Sequence, residues 1–131
     1  MTALMDAVAT ATASLPRLYA AGEVPDKPEY PYGVYHVSLG RGDAYTLDSH
    51  HGTRHGRIVV QTAGRTANAA IDHANAAVDL LLDVALEDDE WSTTPCRVAL
   101  HPVVVRETDP ENTGIADVTT TLNFIATRKE S

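Results

Sequence analysis

Asp48, His50, His51 and His55 fall within one short stretch of the chain. Imidazole nitrogens and a carboxylate are the donors that zinc and similar metals take, so this is the one cluster with the composition of a metal site. Its pattern is incomplete. The helical zinc signature sets two histidines four residues apart with a glutamate between them. His51 and His55 have that spacing but stand among Gly52 and Gly56, with no glutamate between. A solvated loop accounts for the same residues, and a metal-dependent enzyme built on them is the catalytic alternative to the structural role developed below.

Other chemistry finds less support. Gly40 and Gly42 are not followed by a helix, and the turn at Gly64 carries neither the dinucleotide nor the P-loop pattern. Cys96 has no CxxC partner and borders a strand-like run, which suits a buried small hydrophobe better than a nucleophile. Ser38, Ser49 and Ser92 lack the glycine framing of a nucleophile elbow. Arg41-Gly42-Asp43 reads as turn chemistry, His36 and His101 as sheet positions, and His73 as the polar side of a helix. No acid, base and nucleophile come together. The expectation is a non-enzyme without cofactor or metal.

The elements that must position these residues follow from periodicity. Leu4, Val8, Ala11 and Leu15 recur at helical spacing and Pro16 closes the run, predicting a helix over about 2–14. Pro16, Gly22, Pro25, Pro28 and Pro31 make 16–31 an irregular connection. From Tyr32, Val34, His36 and Ser38 alternate with Tyr35, Val37 and Leu39 as a first strand, and Gly40 to Gly56 reads as a long loop. Residues 57–63 form the second strand. Thr66 then caps a long helix over 67–87, about 31 Å at the usual rise. Its apolar stripe runs through Ala67, Ala70, Ile71, Ala74, Val78, Leu81, Leu82 and Ala85, and the acidic run Glu87 to Glu90 ends it.

A third strand, Arg97 to Glu107, is interrupted by Pro102, which favours an edge or a bulge. After a turn over 108–114, the fourth strand, Ala116 to Ala126, sets Val118, Thr120, Leu122, Phe124 and Ala126 on one face. The short loop between these two makes them antiparallel. The predicted class is α+β: a mainly antiparallel four-stranded sheet with a long helix packed on one face and an N-terminal helix, in a single domain over 1–131.

Composition narrows the function. The 131 residues carry a net charge of −8 with 44% hydrophobic residues and one cysteine. A disulfide framework is excluded, and the charge argues against a general duplex-binding surface, which needs a cationic footprint. The N-terminus lacks a basic region before an apolar one, and no run approaches the ~18 apolar residues of a membrane span. The expectation is a chain made in a cytoplasm, or assembled there, without a membrane partner.

The segment Tyr30-Pro31-Tyr32-Gly33-Val34-Tyr35, the loop Gly40-Arg41-Gly42-Asp43-Ala44-Tyr45-Thr46-Leu47-Asp48-Ser49, and the passage from Gly56-Arg57-Ile58-Val59-Val60-Gln61-Thr62 through Ala74 occur in that order. Together they resemble the tail terminator, or tail completion, proteins of long-tailed bacteriophages, especially those infecting actinobacteria. The likeness covers about residues 28–86, with element order extending it to the ends. It implies a virion protein at the neck, assembled in the host cytoplasm. Such a protein forms a closed ring with itself, typically hexameric, on the head-proximal end of the tail tube. It stops polymerisation of the major tail tube protein and joins the tail to a head-side connector or neck protein, with genomic DNA only passing through the lumen. A head-closure or other neck adaptor role is the nearest alternative.

A cyclic ring needs a heterologous contact between two different surfaces of the subunit. The loop Gly40 to Gly56 has the residues for one side: Arg41, Arg54 and Arg57 at its edges, Asp43 and Asp48 between them, and Tyr45 and Leu47 as an apolar part. The acidic helix surface of Asp72, Asp79 and Asp83 complements those arginines, since the planar guanidinium bonds a carboxylate in two places. The same loop folded back over its own sheet is the other arrangement open to it.

Overall fold

The computed structural model describes residues 2–42, 53–107 and 115–129. Its element order is α1 (Thr2–Ala11), β1 (Leu18–Ala20), β2 (Tyr32–Gly42), β3 (Thr53–Gly64), α2 (Ala67–Leu81), β4 (Ala85–Glu87), β5 (Trp91–Pro95), β6 (Arg97–Glu107) and β7 (Ala116–Arg128). The strands form one sheet in the order β1-β2-β3-β7-β5-β4, with β6 also paired to β7. All pairings are antiparallel except β1 with β2.

Strand alternation decides which face of this sheet is covered. Along β7, Ala116, Val118, Thr120, Leu122, Phe124 and Ala126 are buried, while the residues between them are half-buried or exposed. β3 repeats the pattern with Ile58, Val60 and Thr62, and β2 with Tyr35 and Val37. Leu4 and Val8 of α1 and Ala77, Val78 and Leu81 of α2 close over that face. Ala70 and Ala74 pack against Val118, and these small side chains let α2 approach the sheet closely. Gly56 has the same role within the sheet, because a Cβ there would overlap the ring of Phe124 on the paired strand.

The expected four-stranded sheet with one long helix is corrected to seven strands, one of them parallel, and two shorter helices of 10 and 15 residues. Three local causes account for the difference. First, Leu18–Ala20 pairs with β2 inside the proline-rich connection. Three residues are too short to show a period.

Second, α2 stops at Leu81, well before the acidic run. The Leu82 N–H still donates to the Val78 carbonyl at 2.7 Å, but Asp83 turns to a positive φ of 63°. The chain then bonds outward: Asp83 N–H to the Cys96 carbonyl and Cys96 N–H to the Val84 carbonyl, both at 2.9 Å. These long-range bonds replace the helical ones. Leu86 is buried between exposed Ala85 and Glu87, so the apolar residues read as a helical stripe switch here to a period of two.

Third, β2 and β3 extend into the segment expected to be loop, to Gly42 and from Thr53, with a register shift between Leu39 and Gly42. The N-terminal helix ends at Ala11, with turns through Leu15.

The start of α2 follows its residues closely. Thr66 is the N-cap, its hydroxyl accepting from the Ala69 N–H at 3.1 Å. Thr62, buried beneath the first turn, donates to the Ala70 carbonyl at 2.7 Å. His73 is corrected from the polar to the buried side of the helix. Its Nε2 lies 3.1 Å from the Arg17 carbonyl, which also accepts the Gly33 N–H at 2.8 Å. One histidine thus ties α2 to the connection before β2.

Candidate functional site

Both helices lie on one side of the sheet, and among the described residues none covers the opposite face of β2, β3, β7 and β6. Its residues follow from register. Ser38, Arg57, Asn123 and Arg97 form one row across four strands, because Arg57 and Arg97 both pair with Asn123. The next row is His36, Val59, Thr121 and Leu100, and the one after is Val34, Gln61, Thr119 and Val103. This face mixes hydroxyls, amides and two arginines with Val34 and Val59, and has an apolar margin on β6. A hollow of about 290 Å³ opens at its end, lined by Tyr32, Val34, Gln61, Val105, Asp117 and Thr119. Burial raises the Tyr32 hydroxyl pKa above its ordinary value, with Tyr30 and Asp117 adding to the shift, so it stays a neutral hydrogen-bonding group.

β6 supplies the margin because its ladder to β7 slips three times, between Val98 and Leu100, between Leu100 and Val103, and between Val104 and Arg106. Each slip breaks strict alternation, and Leu100, Val103 and Val105 are left 42%, 46% and 66% exposed. Pro102, expected at an edge or bulge, lies in the second of these irregular stretches.

The residues expected at a subunit contact are spread over the molecule. Arg41 lies near the end of β2, within the register shift between Leu39 and Gly42. Asp43, Tyr45, Leu47 and Asp48 lie outside the described residues, as do His50 and His51 of the histidine cluster, while His55 is exposed on β3. Among the described residues no group of three metal-ligating side chains forms.

Arg54 and Arg57 point to opposite faces of β3. Arg54 lies on the covered side, its guanidinium carbon 5.7 Å from the centre of the Trp91 ring. Its buried Nε has no hydrogen-bond partner among the described residues. Arg128 approaches the same ring at 5.3 Å and pairs with Glu90 at 2.5 Å. Arg57 is exposed on the open face and makes no ion pair among the described residues.

Asp72 and Asp79 are exposed on α2, also without an ion pair among the described residues. Asp83 lies beyond the helix and meets Arg97 at 2.8 Å across the sheet edge. Sequence reasoning missed Arg97, Asn123 and Thr121 as members of one surface. Alternation in β7 contains Asn123 and Thr121, but the row they share with Arg57 exists only through pairing.

Cys96, expected to be buried, is fully enclosed at the joint between β5 and β6, and burial pushes its thiol pKa up to about 11. No helix among the described residues is long and apolar enough to cross a membrane.

No protein-family model matches the chain, and no curated protein does. Among solved structures, the chain is similar to one from the virion of a native gene transfer agent particle, with a TM-score of 0.59 and 18% identity over 98% of this chain and 93% of that one. At that identity the likeness is one of fold: the two chains share their architecture from end to end.

Proposed function

We propose that this protein is a structural virion component that forms a closed ring, typically hexameric, on the head-proximal end of a tail tube. There it ends polymerisation of the major tail tube protein and offers its other side to a head-side connector or neck protein, while DNA passes through the lumen. The carrying observation is the end-to-end likeness in fold to a chain of the gene transfer agent virion. The tail-terminator resemblance of residues 28–86 supports the narrower assignment within that class. A sheet that its described residues cover on one face only also suits a subunit that completes its packing against neighbours, since antiparallel sheets expose a face freely but exposed apolar margins mark contacts.

The loop between β2 and β3 is part of the proposed subunit contact, with Arg41, Asp43, Tyr45, Leu47 and Asp48 beside Arg57 at its edge, facing the side of the neighbour that carries Asp72 and Asp79. Arg54 and Asp83 have partners within their own chain. The test is incubation of purified protein with isolated tail tubes. Rings at tube ends by negative-stain microscopy and arrested tube growth are expected. Strictly monomeric protein that leaves tube ends bare and growing would overturn the role.

A further inference from the structure

The open sheet face and the outward stripe of α2 differ in the charge they carry. On β2, β3, β7 and β6, the charged side chains described on the open face are Arg57 and Arg97 with a single acid, Asp117, at one end. This is unexpected in a chain of net charge −8. The opposite side carries the outward stripe of α2: Asn68, Asp72, Asn75 and Asp79, all exposed. α2 contains neither lysine nor arginine, and its one histidine is buried. Two complementary patches therefore lie back to back, one on each side of the sheet.

Their spacings agree as well. Arg57 and Arg97 flank Asn123 in one row, and two strand spacings put them roughly 9.6 Å apart. Asp72 and Asp79 are seven residues apart on one helical stripe, a separation of about 10.5 Å. A helix laid across the strands brings one carboxylate within side-chain reach of each arginine once Arg97 leaves Asp83. Arg97 is free to take part because its bridge to Asp83 is open to solvent, with 73% and 62% of the two side chains exposed, and such exposed pairs hold weakly.

We propose that the open sheet face, through Arg57 and Arg97, seats the α2 stripe of Asp72 and Asp79 from a second copy of this chain. The contact joins two different surfaces on opposite sides of the subunit, so it repeats head to tail and each copy engages two neighbours. It deepens the ring assignment, on which it rests only for closure. Its strength comes from paired charges, so it weakens as ionic strength rises.

A charge exchange tests it. One variant carries Arg57→Asp with Arg97→Asp, and the other carries Asp72→Arg with Asp79→Arg. Arg57→Asp alone serves as a milder sheet variant, and circular dichroism checks each fold. By sedimentation at low ionic strength, wild-type protein self-associates and each variant alone does so about tenfold more weakly or less. An equimolar mixture of the two restores association, because each reversed surface meets its reversed partner.

Wild-type protein that stays monomeric, a reversed variant that associates like wild type, or a mixture no better than its components overturns the contact. Loss of duplex-DNA binding in Arg57→Asp with unchanged self-association gives the face to nucleic acid instead and also overturns it. Tube capping separates this from the ring role. Capping by wild type and by every reversed variant removes the contact and leaves the role standing. Association rescued by the mixture, without capping, keeps the contact and removes the role.

Discussion

β7 is paired along both edges, and the two edges differ. With β3 it forms an unbroken ladder over all twelve residues from Thr53 to Gly64. On the other edge the five residues of β5, Cys96 and the eleven of β6 are laid against the thirteen of β7, so four residues are surplus and the ladder slips repeatedly. The regular edge places Ile58, Val60, Leu122 and Phe124 under the helices in strict alternation. The irregular edge leaves large apolar side chains in solvent and main-chain groups without ladder partners.

Threonine hydroxyls fill those gaps. Thr120 donates to the Leu100 carbonyl at 2.6 Å and Thr94 accepts the Ile125 N–H at 2.9 Å. One strand thus both specifies the core and presents a surface. Regular register does the first, and slipped register does the second. Bulges also discourage strand addition by another chain, so the exposed β6 margin is suited to side-chain contacts.

The difference can be broken most strongly from the regular edge. Leu122→Ala, at a fully buried position, is expected to cost about 3 kcal/mol by chemical denaturation, through lost burial and the cavity left behind. Gly56→Ala should cost about 2 kcal/mol, because the added methyl meets the Phe124 ring. Pairing it with Phe124→Leu should recover part of that loss in the same measurement. On the slipped edge, Thr120→Val removes the bond to the Leu100 carbonyl while keeping the shape, with an expected cost of about 1 kcal/mol. An unchanged denaturation midpoint would show that the Leu100 carbonyl finds water instead.

Acid sharpens the contrast between the faces. Burial holds the His73 pKa below its ordinary 6.5, with the bond to the Arg17 carbonyl opposing and the Arg17 charge reinforcing the shift. The unfolded chain therefore takes up this proton first. Stability present above pH 6.5 is lost as pH falls towards the folded-state value. Thermal midpoints measured down through that range should fall, and His73→Gln should flatten this part of the profile. Smallest of all, Leu100→Thr and Val103→Thr should change stability by less than about 0.5 kcal/mol while raising solubility. A large loss of stability would place these side chains in the core after all.

Much of this was legible in the residues where local physics decides the outcome. Thr66 capped α2 as its hydroxyl and position imply, Cys96 is enclosed, and the alternation from Val118 to Ala126 marks the covered face. Failures came where distant parts of the chain outbid local pattern. Leu82 and Ala85 continue a helical stripe in sequence, but bonds between Asp83, Val84 and Cys96 turn them into a strand connection. His73 looks polar in a helix wheel of alanines and asparagines, yet the Arg17 carbonyl draws it inward.

The candidate surface was half visible. Arg57, Asp72 and Asp79 stand out by charge, whereas Arg97 joins Arg57 only through the shared partner Asn123. No window on one strand contains that row.

Cys96 has a kinetic consequence. Its sulfur is fully enclosed, and burial raises its pKa to about 11, so the closed molecule offers an alkylating reagent neither access nor thiolate. Every labelling event then requires the joint between β5 and β6 to part, and the ratio of labelling rates in native and denaturing solution counts how often it does. The lone thiol is a clock for the breathing of the slipped edge, and its rate in free subunits and in any assembled form would show whether assembly holds that joint shut.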